Sequence, residues 1–388
     1  MRRDILAAAV AAAVSLGLLW LPAAHAGPLT QAVGSLPEAS GTGSPIVVYG
    51  TGGSDLVTVH ANGDGSLVVT VKGRARTVAA ADVPRLIIDG GAGDDRITVD
   101  AGVAADLMIF GGPGDDAIVD LGSGDDFLDG GPGSDTIQGG TGADLIFGGS
   151  ADDALTLGGA GGAMAGGPGA DSYAGGTSSS RVFAQRGEAD ASPGGVTYVP
   201  LGSRDRAGHP PGYLVHVSGT AAFRQRVAAD LTDLLSLPNA RRLLTALDDA
   251  GRVVTVTSAG GGNETTIYQP ADAFLAASGA HGSGSASTVA YNPLETTIAG
   301  DTLSWQHRPP LVGLYHELVH ALNAATGTMQ PGRNAAGAAK LELQAIGLSF
   351  KGIAFRWSPR SPARTANPAV FTENGMRALL GLPRRTSY

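Results

Sequence analysis

Apolar residues recur on two different periods along this chain. Between Asp89 and Gly176 one apolar residue returns every nine positions, set among glycine and aspartate: GGAGDDRIT, GGPGDDAIV, LGSGDDFLD, GGPGSDTIQ, GGTGADLIF, GGSADDALT, LGGAGGAMA and GGPGADSYA. From Leu121 onward these units follow without a break. Beyond about Gly212 the period becomes helical. Phe223, Val227, Leu231, Leu234 and Leu235 share one helix face, and Asn239 is positioned to cap a second helix over Ala240 to Asp249, closed by Gly251. Val253 to Thr257, Thr265 to Tyr268 and Ser287 to Tyr291 read as strands, the last ended by an Asn-Pro turn.

The strongest helical pattern lies between Pro309 and Gly327. The two prolines suit the first turn, Leu311, Leu314, Leu318, Ala321, Leu322 and Ala325 supply an apolar stripe, and Gly327 is a natural stop. Inside it His316, Glu317 and His320 form H-E-x-x-H. Histidines four apart project from one helix face, so both imidazoles can reach a single metal at about 2.0 to 2.1 Å. Glu317 can take a proton from the water that such a metal activates, the chemistry of peptide-bond hydrolysis. The competing reading, two core histidines and a surface glutamate, is weaker in so continuous a helical context.

A third protein ligand is needed. After His320 the chain contains no histidine, aspartate or cysteine, only Glu342 and Glu373. This points to a zinc site of two histidines and one glutamate with one position open. Glu342 is the choice, on AAGAAKLELQAIGLSF, which reads as a helix folded back antiparallel to the first; an exposed helix carboxylate is the alternative. Thr372-Glu373-Asn374 reads equally as the N-cap of a last helix or as part of the site. Tyr388, Arg377 and Arg384 are candidate oxyanion donors. His281 and His307 are further candidate ligands, set against the commoner reading of solvated loop histidines. The strand over 287–293 is nominated as the edge beside which an extended substrate lies, an interior strand being equally compatible with the letters.

From about Gly219 to Tyr388 the chain resembles the NleD-like zinc metalloproteases, a family of type III secreted effectors of bacterial pathogens. The resemblance rests on VAYNP, RPPLVGLYHELVHALNAATG, ELQAIGL and FTENGMRALLGLPRRTSY. It implies His316, His320 and Glu342 as metal ligands and Glu317 as base. Family members often carry two adjacent glutamates at the downstream motif, whereas here Leu341 precedes Glu342.

The nine-residue unit is similar to the calcium-binding RTX repeat, which implies a parallel β-roll of glycine-rich turns and short strands. Ile97, Ile118, Leu128, Ile137, Ile146, Leu155, Met164 and Tyr173 are then the inward residues. Asp95, Asp116, Asp126, Asp135, Asp144, Asp153 and Asp171, at the sixth position, are the implied calcium ligands, with Gly162 in that place in the seventh unit. Gly52 to Val57 resembles a worn outlying repeat. A flexible acidic linker would not keep apolar residues in register.

Charge follows the same division. Asp89 to Asp171 holds sixteen aspartates and one basic residue, Arg96, a net of −15 against −9 for the whole chain, so the rest carries +6. So acidic a block repels itself until cations neutralise it, which couples folding to calcium. The positive charges elsewhere are scattered without the aromatic interleaving of a nucleic-acid surface. No cysteine occurs, so calcium is expected to take the stabilising role of disulfides, at the roughly 0.1 to 1 mM affinities of extracellular modules.

Arg2 and Arg3 precede the apolar run Ile5 to Leu21, then Pro22 and Ala24-His25-Ala26, which reads as a signal peptide cleaved after Ala26, with an uncleaved anchor as the alternative. No other segment is long and apolar enough to span a membrane. The expected organisation is a signal peptide (1–26), an N-terminal β-rich segment (27–88), an all-β RTX roll (89–176), a linker (177–211), and an α+β zincin-like metalloprotease domain (212–388). The expected function is a secreted, calcium-stabilised zinc endopeptidase acting on protein or peptide substrates. The alternative is an extracellular calcium-binding adhesion protein with an inactive or structural zinc domain.

Overall fold

The computed structural model describes residues 44–159, 161–190, 194–199, 208–298 and 306–388; the leader expected over 1–26 lies outside them. Short strands dominate the first half: β1 (Ile46–Thr51), β2 (Leu56–Ala61), β3 (Leu67–Val71), β4 (Arg74–Val78), β5 (Leu86–Gly91), β6 (Arg96–Val99), β7 (Met108–Phe110), β8 (Ala117–Asp120) and β9 (Phe127–Pro132). They continue as β10 (Thr136–Gln138), β11 (Leu145–Ser150), β12 (Ala154–Leu157), β13 (Ala163–Ala165), β14 (Ser172–Gly175), β15 (Arg181–Ala184), β16 (Ala189–Asp190) and β17 (Gly195–Tyr198). Apart from the β2–β3–β4 meander, successive strands alternate between two parallel sheets, in the orders β1-β5-β7-β9-β11-β13-β15-β17 and β16-β14-β12-β10-β8-β6-β2-β3-β4.

The nine-residue period produces this alternation. Each unit is one strand and one turn, and two units bring the chain back to the same sheet. The turns need glycine: Gly112 has φ 107°, and a Cβ there would sit 1.9 Å from the Gly91 carbonyl oxygen. The eight inward residues from Ile97 to Tyr173 are 2% exposed or less and fill the space between the sheets. The sheets extend further than the repeats suggest. β1 and β2 pair in parallel with β5 and β6, so Gly52 to Val57 is a true turn of the stack. At the other end β15, β16 and β17 lie within the segment read as a linker and add to both sheets; its polar, Pro/Gly-rich composition hid the short RVFA and GVTY runs.

The second half mixes helices and one sheet. In chain order it holds β18 (Val215–Ser218), α1 (Ala221–Leu235), α2 (Pro238–Ala250), β19 (Val254–Ser258), β20 (Glu264–Ile267), α3 (Pro270–Ala273), β21 (Ser287–Tyr291), α4 (Pro310–Ala325), α5 (Lys340–Ile346) and α6 (Glu373–Leu380). The sheet order is β18-β19-β21-β20, parallel except for β20. β21 is therefore interior, and β18 and β20 are the edges; pairing on both sides of Ser287–Tyr291 corrects the edge nominated from sequence. Asn239 does not cap α2, which already starts at Pro238; its amide donates instead to the Gly375 carbonyl at 3.3 Å. The helix expected over 335–350 is confined to Lys340–Ile346 because Gly337 and Gly347, at φ 86° and 87°, bracket it.

The two halves share a core. Ile87, Phe110, Phe127, Leu145, Phe147 and Phe183, on the outer face of the first sheet, join one apolar cluster with Phe223, Val227, Leu231 and Leu234 of α1. Phe110, Phe127 and Phe147 stack along that face with ring centroids 5.5 and 5.7 Å apart. At its edge the Arg226 guanidinium lies 3.6 Å from the Phe110 ring centroid, 3.0 Å from Asp230 and 3.7 Å from Asp129 of β9. Tyr291 of β21 donates to Asp230 at 2.9 Å, carrying the contact into the second sheet.

Candidate metal centre

Every residue of α4 is buried, with α1, α2, α3, α5, α6, β20 and β21 packed around it. A helix apolar on all sides suits such a central position, and its few polar side chains are then held by specific partners. Pro310 occupies the first turn, and Gly327, at φ 66°, follows the last. Gly313 gives the N-terminal half room: a Cβ there would approach the Asn263 amide nitrogen to 2.6 Å.

His316 and His320 bring their Nε2 atoms to 3.1 Å, and Glu342 of α5 sets Oε2 at 3.3 Å from each. Two sequence segments thus converge three ligand atoms on one point. Ligands about 2.0 to 2.1 Å from a tetrahedral zinc stand roughly 3.3 to 3.4 Å from one another, so the triangle matches the size such an ion requires. Among the described residues His316, His320 and Glu342 are one of two groups of acidic or histidine side chains compact enough to hold a metal. Leu341 instead packs beside Ala273, Ala324 and Met329.

Glu342 depends on a buried amide network for its position. Gln344 of α5 donates to the Thr328 carbonyl and to Asn367, each at 2.9 Å, and accepts from the Gln330 backbone at 3.0 Å. Gln330 in turn donates to the Ile353 and Thr365 carbonyls at 2.6 and 3.0 Å. With such partners the loop after α4 and the helix α5 are held as one unit.

Glu373 is the residue whose role sequence reading left open. Thr372 caps α6, accepting from the Gly375 backbone at 3.0 Å. Yet Glu373, fully buried, also sets Oε2 2.8 Å from His316 Nδ1, while Oε1 accepts from Arg377 at 2.7 Å and Arg385 lies 3.3 Å from Oε2. A carboxylate on the outer nitrogen of a ligating histidine orients the ring and raises its basicity. Both roles fall to adjacent residues, and only the carboxylate's long reach from α6 to α4 distinguishes them. His320 Nδ1 is buried and has no such carboxylate beside it among the described residues.

Burial lowers the His316 pKa, but Glu342 and then Glu373 outweigh it and raise it to about 9. Burial likewise opposes ionisation of Glu342, yet the two histidines hold its carboxyl well below the ordinary range. Without a metal the cluster therefore keeps a proton on imidazole, and an entering cation displaces it. Glu317 turns toward β20, where the Thr265 hydroxyl lies 2.7 Å from its Oε2 and 3.1 Å from its backbone oxygen.

The remaining candidates separate clearly. Arg377 is buried, with Nε committed to Glu373 and Nη1 donating to the Pro383 carbonyl at 3.1 Å, so it anchors the outer carboxylate. Arg384 is exposed. Tyr388 is exposed too, but its hydroxyl feels Glu342 and Glu317: partial burial first, then those carboxylates, raise its pKa, against Arg385 and Arg333. His281 pairs with the Arg356 carbonyl at 2.9 Å, and His307 forms a β-bridge with Thr297, so neither joins the triangle.

In the first half the sixth-position aspartates form ladders. The backbone N–H of Asp55 donates to Asp95 Oδ1, Asp95 to Asp116, Asp116 to Asp135, Asp135 to Asp153 and Asp153 to Asp171, at 2.7 to 3.0 Å. On the opposite edge Leu107 donates to Asp126 and Asp126 to Asp144, at 2.6 and 3.0 Å. The Oδ2 atoms of Asp95, Asp116, Asp135, Asp144, Asp153 and Asp171 are buried with no partner. Rows of orphaned carboxylate oxygens fit calcium, which takes oxygen ligands only. Lys72 closes the first rung, its ammonium 2.7 Å from Asp55 Oδ1.

Comparison with known families agrees with both halves. Residues 212–388 match the model of peptidase family M91, described as effector protein. Residues 87–103 and 120–155 match the RTX calcium-binding nonapeptide repeat. No curated protein and no solved structure matches the chain.

Proposed function

With a C-terminal region that matches a peptidase family and RTX repeats before it as the premise, we propose that this chain is a secreted, calcium-stabilised zinc endopeptidase. The observation that carries the reading is the triangle of His316 Nε2, His320 Nε2 and Glu342 Oε2, with sides of 3.1 to 3.3 Å, beside Glu317. His316, His320 and Glu342 hold zinc in a zincin-like domain, and the sixth-position aspartates hold calcium in a parallel β-roll. Bound in the triangle, zinc supplies Lewis acidity to water and to the scissile carbonyl.

The chain's own groups do the rest. Glu317 takes the proton of the attacking water and returns it to the leaving amine, and the Thr265 hydroxyl keeps its carboxylate aimed. Glu373 fixes the ring of His316. An extended peptide lies along β20, whose outer edge pairs with no strand among the described residues and whose Thr265 touches Glu317. Tyr388 donates to the developing oxyanion. The leader-like segment over 1–26 supports export to a calcium-rich exterior.

The test is zinc content and casein hydrolysis by the calcium-loaded chain from Gly27 onward, beside Glu317→Gln and Glu342→Ala. One zinc per chain, activity lost in Glu317→Gln with zinc retained, and zinc lost in Glu342→Ala are the expected results. A folded, calcium-bound chain that takes up no zinc sinks the peptidase reading.

A further inference from the structure

Asp120 stands outside the nine-residue repeat. It is the one residue inserted between GGPGDDAIV (111–119) and LGSGDDFLD (121–129), and no repeat position calls for it. Its side chain nonetheless turns inward and is 0% exposed, beside Asp126 at 2% and Asp144 at 0%. One oxygen from each of these three carboxylates falls within 4.8 Å of the others.

Asp120 and Asp126 stand close enough for their carboxyls to share a proton, yet other oxygens of the group are left over. Asp120 Oδ1 accepts the Gly122 backbone N–H at 2.7 Å, and Asp144 Oδ1 accepts that of Asp126 at 3.0 Å, but Oδ2 of both Asp120 and Asp144 is buried without any partner. Glycines keep the space before them open. A Cβ on Gly139 would come within 2.5 Å of Asp144 Oδ2, and one on Gly140 within 2.8 Å of Asp120 Oδ2. Among the described residues only acidic groups act on it by charge: after burial, the forces raising Asp126 to about 10 come from Asp120 and Asp144, and those on Asp144 from Asp120, Asp125 and Asp106. By contrast Asp95 has Lys72 nearby, and Asp129 has Arg226.

We propose that Asp120 is a third carboxylate ligand at the calcium position that Asp126 and Asp144 share on their edge of the roll, which makes this site tighter than those of the opposite ladder, where no such residue is inserted. Calcium oxygens at about 2.4 Å from one ion stand at most about 4.8 Å apart, whereas magnesium at about 2.0 to 2.1 Å draws its ligands in closer. Three buried carboxylates concentrate charge where the ladder offers fewer, and affinity for calcium follows the number of ligand charges. The site also lies at the root of the contact between the halves. Asp126 and Asp144 immediately precede β9 and β11, whose Phe127, Leu145 and Phe147 pack on the α1 cluster.

The inference rests on the calcium reading of the roll, and the test separates the two. The full chain, stripped of metal, is titrated with calcium against a chromophoric chelator, beside Asp120→Asn and the ladder variant Asp135→Asn. Asn at 120 keeps the oxygen that accepts from Gly122, so the turn is preserved. Expected is one tightest site in the parent, weakened about tenfold or more in Asp120→Asn and unchanged in Asp135→Asn. Calcium binding in which Asp120→Asn titrates as the parent overturns this proposal alone; a parent that binds no calcium overturns the roll reading as well. Should Asp120→Asn fail to fold, crystals of the parent at one equivalent of terbium decide the matter. An anomalous peak between the three carboxylates upholds the site, and a strongest peak on the other edge with none here overturns it.

Discussion

The roll and the C-terminal domain both bury carboxylates, but they assemble them in opposite ways. Asp116, Asp135 and Asp153 are successive copies of one rung, each joined to the next by a hydrogen bond of 2.7 or 2.8 Å. The metal centre has no copies. His316 and His320 come from α4 and meet Glu342 of α5, while Glu373 reaches His316 from α6. A periodic structure shares its load among neighbours, so the loss of one unit is felt locally. A convergent site fails when any one member is removed. The contrast is bridged at α1, whose one face packs on the roll and whose helix also packs on α4.

The sharpest break in that contrast is Glu317→Gln, expected to lower kcat/KM for peptide hydrolysis by about 10²- to 10⁴-fold with zinc content unchanged. Steady-state kinetics beside metal analysis reads both. Arg226→Ala attacks the bridge itself, leaving Asp129 and Asp230 facing each other without their cation. A loss on the order of 2 kcal/mol in denaturant unfolding is expected, below the cost of breaking a fully buried pair because 21% of the Arg226 side chain still meets solvent. If the halves unfold together, the loss appears in one transition; two separate transitions with only one shifted would show that they do not depend on each other.

Glu373→Gln keeps the size of the outer carboxylate and removes its charge. Zinc affinity should fall roughly 10- to 100-fold, measured by competition with a chelator, while the inner ligands remain. The bridge also has a pH signature. Burial raises the Asp129 carboxyl to about 7, with Arg226 pulling it down and Asp230 and Asp89 pushing it up. Its folded pKa lies above the unfolded value of about 3.9, so the folded state holds more protons between the two. The stability it contributes is full below the unfolded pKa and is lost as pH rises through about 7. At fixed saturating calcium, the parent's melting temperature should decline over this window, and Asp129→Asn should flatten the decline. The smallest effect is expected from Asp135→Asn, which removes one rung and should shift the calcium midpoint of folding, followed by circular dichroism, by less than about tenfold. A total loss of folding there would mean that the ladder is as indivisible as the metal centre.

Local patterns were legible in the letters. The helix of α4, with its prolines, its glycine stop and two histidines one turn apart, follows from short-range geometry. So do the inward residues of the stacked sheets, since a nine-residue period repeats its own surroundings. Elimination narrowed the third ligand to Glu342 or Glu373, because so few ligand types follow His320, and the helix-forming segment around Glu342 made it the choice. The outward aromatics Phe110, Phe127 and Phe147 were not singled out in the sequence; only the packing of α1 on them gives them a role.

The sequence alone therefore determined what repeats and what lies within a turn or two of helix: the strand-turn units, the spacing of the aspartates, the H-E-x-x-H face and the caps at Gly327 and Thr372. Only the tertiary structure decided which distant groups meet. It set Glu373 against His316, made β20 rather than β21 an edge strand, brought Asp120 in beside Asp126 and Asp144, and seated α1 on the roll. The physical reason is one of range. Backbone geometry ties residues a few positions apart to fixed directions, whereas contacts between distant segments depend on how whole faces pack, and a carboxylate reads the same in sequence whether it caps a helix or steadies a metal ligand.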